Sequence, residues 1–356
     1  MMKSKLALNK LVEKIKPIDL NAFQAAEERQ NILTKPPGSL GKLEEISIKL
    51  AGITGEVTPK IEKKAVVVMA GDHGVVAEGV SAYPSEVTPQ MVMNMLGGGA
   101  AINVLANYIG ADVLLVDIGV EFDFEPTPGL IDKKVRKGTS NIASGPAMSE
   151  EETLQAIFAG VSVIEQKISE GLHLVATGDM GIGNTTPSAA IASAITGKPA
   201  FEIVGRGTGV DDEGLKHKIS VVERAIEINE VDKEDGLDVL AKVGGFEIGG
   251  LTGVILGAAA NGVPVVVDGF ISTAAAMIAV VICPLVKDYL FAGHCSQELG
   301  HKIMLESLEL DPILDLDFRL GEGTGAVLAM CVIEAASRVI SEMATFSEAG
   351  VSDKED

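Results

Sequence analysis

The chain has 356 residues and 47% of them are hydrophobic, so it carries enough apolar material for a folded core and is not an intrinsically disordered protein. Its 29 Lys and Arg residues are outnumbered by 50 Asp and Glu residues, and the formal net charge of -21 disfavours binding to nucleic acid. Its 40 glycines follow no three-residue period, which excludes a collagen-like repeat and indicates many tight turns.

The sequence favours a cytoplasmic protein that does not span a membrane. Residues 1–16 mix Lys and Leu without the apolar core and cleavage site of a secretory signal. The uncharged runs at 248–267 and 269–286 contain Gly, Asn or Pro, and this pattern predicts a buried helix, a turn, a strand and another helix. The three cysteines form no CxxC pair and are typical of reduced thiols: Cys283, Cys295 and Cys331.

Secondary structure is predicted as helical at both chain ends and mixed in between. Apolar positions at helical spacing predict helices within 20–60 and over 326–344. Between them, short β-branched runs end in Gly or Asp, and each is followed by a helix-like stretch; they lie at 65–69, 113–116, 172–176 and 264–267. This alternation predicts an α/β fold with a doubly wound, mostly parallel sheet. We expect a large α/β domain over 61–324 and a small helical domain built from 1–60 and 325–356.

Three glycine-rich loops, at 178–187, 205–214 and 321–329, are candidates for binding an anion through backbone N–H groups. Residues 184–187 favour a helix start that would suit a phosphate, because they combine capping side chains with a first-turn proline. No loop matches GxxxxGK[ST] or GxGxxG, which disfavours a Walker-type ATPase and a dinucleotide-dependent oxidoreductase. Each loop is equally compatible with a tight turn that binds nothing.

Several polar side chains are candidates for chemistry. Glu322 lies between two glycines, where a carboxylate can act as a general base or simply lie at the surface of a turn. Asp72 and His73 follow the first predicted strand and Asp268 follows the last, at the sheet edge where ligands bind in open α/β folds. Asp72 and His73 are equally compatible with positioning a substrate and with simply closing a turn. Two of the five histidines fall within 294–301, but their spacing is not that of standard zinc ligands, so we predict no metal site.

Seven segments, taken in order along the chain, form a pattern specific to one family. They include GDMGIGNTTP at 178–187 and LDFRLGEGTGAVLA at 316–329; the others lie at 35–44, 70–91, 138–148, 204–214 and 267–276. Together they closely resemble the nicotinate-nucleotide:dimethylbenzimidazole phosphoribosyltransferase family over about residues 30–345. The resemblance implies a Rossmann-like parallel sheet domain, a small helical domain from both chain ends, and a homodimer with composite active sites.

The resemblance also implies a reaction. Members of this family transfer the 5-phosphoribosyl group of nicotinate mononucleotide to a ring nitrogen of 5,6-dimethylbenzimidazole, with inversion at the anomeric carbon. The products are nicotinate and α-ribazole 5'-phosphate, which supplies the lower ligand of cobamides. We therefore expect small-molecule substrates as partners and no metal or organic cofactor.

The family's general base carries over to Glu322. As one ring nitrogen attacks the sugar carbon the other becomes acidic, and a carboxylate within hydrogen-bond reach can take its proton. Backbone groups of the three loops are expected to hold the phosphate and the nicotinate carboxylate, namely those of Gly181, Gly183, Asn184, Thr185, Thr186, Gly207, Thr208, Gly209 and residues 321–325. The resemblance places the aromatic base near Ser81, Tyr83, Gln90 and Met91.

Two positions depart from the family pattern. Asp179 stands where the family usually has a Glu that approaches the base, and we expect the shorter side chain to leave room that shifts the preference among benzimidazoles, purines and phenols. Leu299 replaces a Pro, with no consequence that we can derive. The nearest alternative is a relative that uses a phenolic or other acceptor. This alternative includes a relative that works as one subunit of a heteromer. A catalytically silent subunit is disfavoured because Glu322 is retained.

Overall fold

The computed structural model describes residues 4–207 and 209–352, and its centre is a sheet of six parallel strands. The strands are β1 (Lys64–Gly71), β2 (Ala111–Gly119), β3 (Leu130–Asp132), β4 (Leu174–Met180), β5 (Val265–Val267) and β6 (Leu290–Ala292). Their order across the sheet is β3-β2-β1-β4-β5-β6. This is the Rossmann order, in which the direction of winding reverses between β1 and β4 and ligands bind beside that reversal. The predicted α/β fold with a parallel sheet is confirmed.

Helices surround the sheet and complete the alternation with the strands. They are α1 (Lys5–Val12), α2 (Leu20–Ile32), α3 (Lys42–Thr54), α4 (Val87–Leu96), α5 (Ala101–Ile109), α6 (Glu150–Ser169), α7 (Thr185–Thr196), α8 (Ala200–Ile203), α9 (Asp212–Asn229), α10 (Gly236–Val243), α11 (Phe246–Ala259), α12 (Phe270–Ile282), α13 (His301–Leu308), α14 (Thr324–Glu342) and α15 (Phe346–Ala349). Short 3-10 turns lie at Gly74–Glu78 and Pro284–Tyr289.

The central strands form because they are buried along their whole length. All eight residues of β1 are buried, and α11 packs on β1, β2 and β4 while α14 packs on β4 and β5. Coverage of both faces explains why these runs are continuously apolar rather than alternating. The four predicted strands are confirmed as β1, β2, β4 and β5. Two further strands, β3 and β6, were not predicted, because neither contains a run of β-branched residues like the one that indicated the equally short β5.

The two uncharged runs are core elements. They form α11, β5 and α12, as predicted, and every residue of α11 is buried. The crossing of α6 and α11 is very close, because a Cβ on Gly160 would lie 1.8 Å from the carbonyl oxygen of Gly250. Within the described residues, α14 is the one helix long and apolar enough to cross a membrane, and it packs against α3 and α5.

Helices from the two chain ends contact one another. The Arg29 Nε donates to the Ile340 carbonyl at 2.6 Å, and Leu33 forms an antiparallel bridge with Thr345. Both predicted helical ends are therefore present and packed together. The division into a domain over 61–324 and a smaller domain from 1–60 and 325–356 stays a prediction.

Candidate active site

A cleft of about 840 Å³ opens at the carboxyl ends of β4 and β5, beside the reversal of the sheet. Its floor carries polar side chains from the turn after β4 and from residues 317–324 before α14. One wall is apolar and comes from α4 and α5, through Val87, Met91, Ala101 and Leu105. The cleft therefore joins a polar floor to an apolar wall, which suits a ligand with a charged part and a flat apolar part.

Glu322 lies at the meeting point of floor and wall. The residue is only 4% exposed, so the alternative of a surface glutamate is wrong. The backbone N–H of Ile102, in the first turn of α5, donates to its carboxylate, while Oε2 has no hydrogen-bond partner among the described residues. Burial raises the pKa of Glu322 above its ordinary value. One oxygen is thus held by a helix start and the other is free to take a proton.

The backbone around Glu322 explains its flanking glycines. Gly321, Glu322 and Gly323 all have positive φ angles, of 84°, 63° and 90°. The loop also passes close over β4, because a Cβ on Gly178 would lie 2.6 Å from the carbonyl oxygen of Glu322. The Glu322 N–H in turn donates to the Asp179 carbonyl at 3.2 Å. A non-glycine residue is strained in this conformation, and such strain is typically retained at functional sites.

Asp179 lies in the floor of the cleft and is almost fully buried. Its Oδ2 accepts a hydrogen bond of 2.9 Å from Nδ2 of Asn184. Burial, reinforced by the nearby carboxylates of Asp268, Glu247 and Glu322, raises the pKa of Asp179 well above its usual range. The predicted helix start at 184–187 is confirmed, but Asn184 does not cap α7 with its side chain, because that side chain is committed to Asp179.

A buried lysine lies beside the start of α7. Lys218, on α9, is 1% exposed and its Nζ donates to Oγ1 of Thr185 at 2.6 Å. Burial lowers the pKa of Lys218 to about 8. The Gly207 backbone N–H donates to Glu298 at the same end of the cleft. Sequence analysis did not identify Lys218, because within the charged stretch of α9 nothing distinguishes it from a solvated lysine.

The structure brings together only part of the predicted set of site residues. The cleft is lined by Glu322, Asp179, Gly181, Asn184, Thr185, Gly207, Met91 and Tyr83. Gly183 and Thr186 lie behind the lining: Thr186 is fully buried, and a Cβ on Gly183 would lie 2.6 Å from Val76. Ser81, Gln90 and Gly209 do not line the cleft, and Thr208 lies outside the described residues.

Asp72 and His73 serve the fold rather than the cleft. The Asp72 Oδ2 accepts from the Glu121 N–H at 2.8 Å, and the His73 Nε2 lies 2.8 Å from Oε1 of Glu247; both residues are buried. Both side chains therefore bind other elements of the fold, and neither lines the cleft. Over the ranges 4–207 and 209–352, no group of three or more His, Cys, Asp or Glu side chains is arranged to hold a metal ion.

Comparison with known proteins gives a consistent result. A family model described as a phosphoribosyltransferase matches residues 15–351. A protein of Chloroflexus aggregans named nicotinate-nucleotide--dimethylbenzimidazole phosphoribosyltransferase is 56% identical over 349 residues, covering 98% of this chain and 99% of its own. A protein of the same name from Chloroflexus aurantiacus is 57% identical over 343 residues, covering 96% and 98%. The crystal structure of CobT from Thermus thermophilus shares 50% identity at a TM-score of 0.91, covering 94% of this chain and all of that one.

Proposed function

Since the chain belongs to the phosphoribosyltransferase family described by that model, we propose that it transfers the 5-phosphoribosyl group of nicotinate mononucleotide to 5,6-dimethylbenzimidazole. The products are α-ribazole 5'-phosphate, used in the nucleotide loop of cobamides, and nicotinate. The observation that carries the proposal is the Glu322 carboxylate, buried between the polar floor and the apolar wall with one oxygen free.

The reaction needs one base and accurate placement. A ring nitrogen of the acceptor attacks the anomeric carbon from the face opposite the nicotinate, forming a carbon–nitrogen bond as the bond to the pyridinium nitrogen breaks. The electron pair of that bond neutralises the pyridinium, so nicotinate leaves without an acid. The second ring nitrogen of the acceptor becomes acidic, and Glu322 takes its proton. Placement of the two rings on either side of the sugar carbon supplies much of the remaining acceleration.

The apolar wall suits the acceptor. Met91 of α4 and Ala101 and Leu105 of α5 present a surface for a flat aromatic ring. The Ile102 N–H, also on α5, anchors the Glu322 carboxylate beside this surface. A ring lying on this wall presents its edge nitrogen to the free oxygen Oε2. Asp179 contributes its side chain to the neighbouring floor, where its length affects which acceptors fit.

The start of α7 suits the phosphate. The positive end of a helix dipole attracts an anion, and α7 begins at Thr185 in the cleft. The Lys218 ammonium lies against Thr185 and adds a positive charge that is shielded from water. Arg319, at the exposed rim, is a second cation in reach of an anionic substrate. These groups allow an acidic protein to bind an acidic nucleotide.

We also propose that two copies of the chain pair through α4 and α5, in the cytoplasm. Met93 on α4 and Val104 and Tyr108 on α5 are apolar side chains that are exposed in the single chain. The exposed side of α5 adjoins Ala101 and Leu105 of the cleft wall, so a partner on this side would complete the rim of the cleft. The predicted base-binding residues outside the cleft, Ser81 and Gln90, belong to the same region of the chain. Pairing with an unlike subunit is the alternative.

The function is tested with the purified chain, nicotinate mononucleotide and dimethylbenzimidazole. We expect release of nicotinate and a product with the mass and α-anomeric configuration of α-ribazole 5'-phosphate. If nicotinate is released only with phenols or another base, the proposed mechanism stands and the acceptor is a different compound. No release with any acceptor would contradict the proposal.

A further inference from the structure

Asp268 is a buried carboxylate that the proposed reaction does not use. It follows β5 directly, is 1% exposed, and does not line the cleft. Its Oδ2 accepts from the Gly323 N–H at 3.1 Å and its Oδ1 from the Ala326 N–H at 2.9 Å; the Gly325 N–H donates to the carboxylate as well. The carboxylate therefore holds the first turn of α14.

The same turn carries Glu322. Gly323 is the N-cap residue of α14 and supplies no side-chain cap, so the helix start depends on an acceptor from elsewhere in the chain. Glu322 precedes that cap and has a left-handed backbone, which reverts to a commoner conformation unless the residues on both sides are fixed. On one side the Asp179 carbonyl holds the Glu322 N–H, and on the other Asp268 holds Gly323.

The contacts of Asp268 also fix its own position. Its backbone N–H donates to Oγ1 of Thr177 on β4 at 3.3 Å, and the His294 Nε2 lies 3.5 Å from its Oδ1. His294 in turn packs over the start of α14, since a Cβ on Gly325 would lie 2.0 Å from its Cδ2. The carboxylate is therefore anchored to the sheet, and the loop is anchored to the carboxylate.

We infer that Asp268 is the positioning residue for Glu322, clamping the left-handed turn before α14 so that the free carboxylate oxygen faces the acceptor ring. This role rests on the proposed function of Glu322 as the base. A residue that acts only on the geometry of the base affects the chemical step more than substrate binding. Its effect also disappears when the base itself is absent.

The test is a double-mutant cycle of Asp268→Asn and Glu322→Gln, with nicotinate release as the readout. An amide keeps the size of Asp268 but presents N–H groups to one of the backbone donors. We expect Asp268→Asn to lower kcat by about 10-fold or more, with KM for both substrates within about 3-fold. In the Glu322→Gln background we expect the same substitution to cost less than about 3-fold.

Asp235→Asn is the matched control. Asp235 caps α10 by accepting from the Leu237 and Asp238 N–H groups, and it does not line the cleft. We expect this variant to keep the kcat of the unchanged protein. That result would show that the loss of activity comes from losing the Asp268 contacts and not from losing a helix cap in general. If Asp268→Asn fails to fold, Asp268→Ser adds no volume, removes the charge and is measured in the same way.

An unchanged kcat in Asp268→Asn would overturn the role of Asp268. The same fold-loss of kcat on adding Asp268→Asn to Glu322→Gln would overturn it as well, and both results leave the proposed function standing. Full activity of Glu322→Gln alone would overturn the assignment of the base, and the role of Asp268 with it. The two failures are therefore distinguishable.

Discussion

At the scale of single residues, the site depends on one glutamate whose backbone and side chain are both constrained. A left-handed backbone costs about 1–2 kcal/mol for a residue other than glycine. Glu322 is kept there by close contact with β4 and by the hydrogen bond of its N–H to Asp179. Its carboxylate is buried against the start of α5, where the Ile102 N–H donates to it. Strain and burial together produce a base with a fixed direction.

The burial of Glu322 predicts a pH dependence. The carboxylate accepts a proton only when ionised, and burial raises its pKa above the ordinary glutamate value of about 4.3. We expect kcat to rise with pH through an apparent pKa above that value and then to level off. A pH profile of Glu298→Gln, which removes another half-buried carboxylate of the cleft, should keep this acid limb. An acid limb that also persists in Glu322→Gln would assign it to a different group.

Sequence analysis reached Glu322 but not its surroundings. The flanking glycines indicated an unusual turn, and the family resemblance supplied the role of the residue. The donor on Ile102 and the acceptor on Asp268 are distant in sequence from Glu322, so only the packed fold brings them to it. Asn184 was predicted to cap α7 and instead donates to the Asp179 side chain, because the local turn after β4 places these two side chains together.

At the scale of elements, the start of α7 is the centre of the proposed nucleotide site. The strand β4 ends at Met180 and α7 begins at Thr185, so residues 181–184 form a short turn whose helix start points into the cleft. The sequence predicted both elements, β4 from a continuous apolar run and the start of α7 from its capping residues and first-turn proline. It did not identify Lys218, because the burial of this lysine depends on α9 packing against α7.

Lys218→Met tests this site. The substitution keeps an unbranched apolar stem and removes the charge, and a charge-assisted hydrogen bond to phosphate is worth about 1.5–3 kcal/mol. We expect KM for nicotinate mononucleotide to rise about 10- to 100-fold, with little change in KM for the acceptor.

Lys49→Met is the matched control. Burial lowers the pKa of Lys49 to about 8 as well, but its Nζ donates to the Leu290 carbonyl, whereas Lys218 donates to Thr185, which lines the cleft. We expect this variant to bind nucleotide normally. An equal rise in KM for both variants would assign the effect to general loss of a buried charge, and no rise in Lys218→Met would remove Lys218 from the proposed phosphate site.

At the scale of the whole molecule, the parallel sheet places the cleft and one apolar face side by side. The strand order reverses between β1 and β4, and the cleft lies next to that reversal. On α5, residues 101 and 105 line the cleft while Val104 and Tyr108 lie on the exposed side, 63% and 78% accessible. The fold class followed from the strand pattern, whereas this exposed face was not visible in the sequence, because α5 carries apolar residues on both its buried and its exposed side.

Tyr108→Asp tests the proposed pairing. A charge on the exposed face of α5 leaves the core of the single chain intact but is costly in an apolar interface. By light scattering after gel filtration, we expect the unchanged protein at twice the chain mass of 37.0 kDa and the variant at the mass of one chain. Leu6→Asp, on the exposed side of α1, is the control and should remain paired. A Tyr108→Asp protein that stays at twice the chain mass would place any interface elsewhere.

The central claim is that Glu322 takes the proton of the acceptor during phosphoribosyl transfer. The most direct measurement is the rate of nicotinate release, at saturating nicotinate mononucleotide and dimethylbenzimidazole, for the unchanged protein and for Glu322→Gln. Glutamine keeps the shape of the side chain but cannot take a proton, so we expect kcat to fall by about 10²- to 10⁴-fold while the variant stays folded and binds nucleotide. A folded Glu322→Gln protein that releases nicotinate at a rate within about 10-fold of the unchanged protein would contradict the claim.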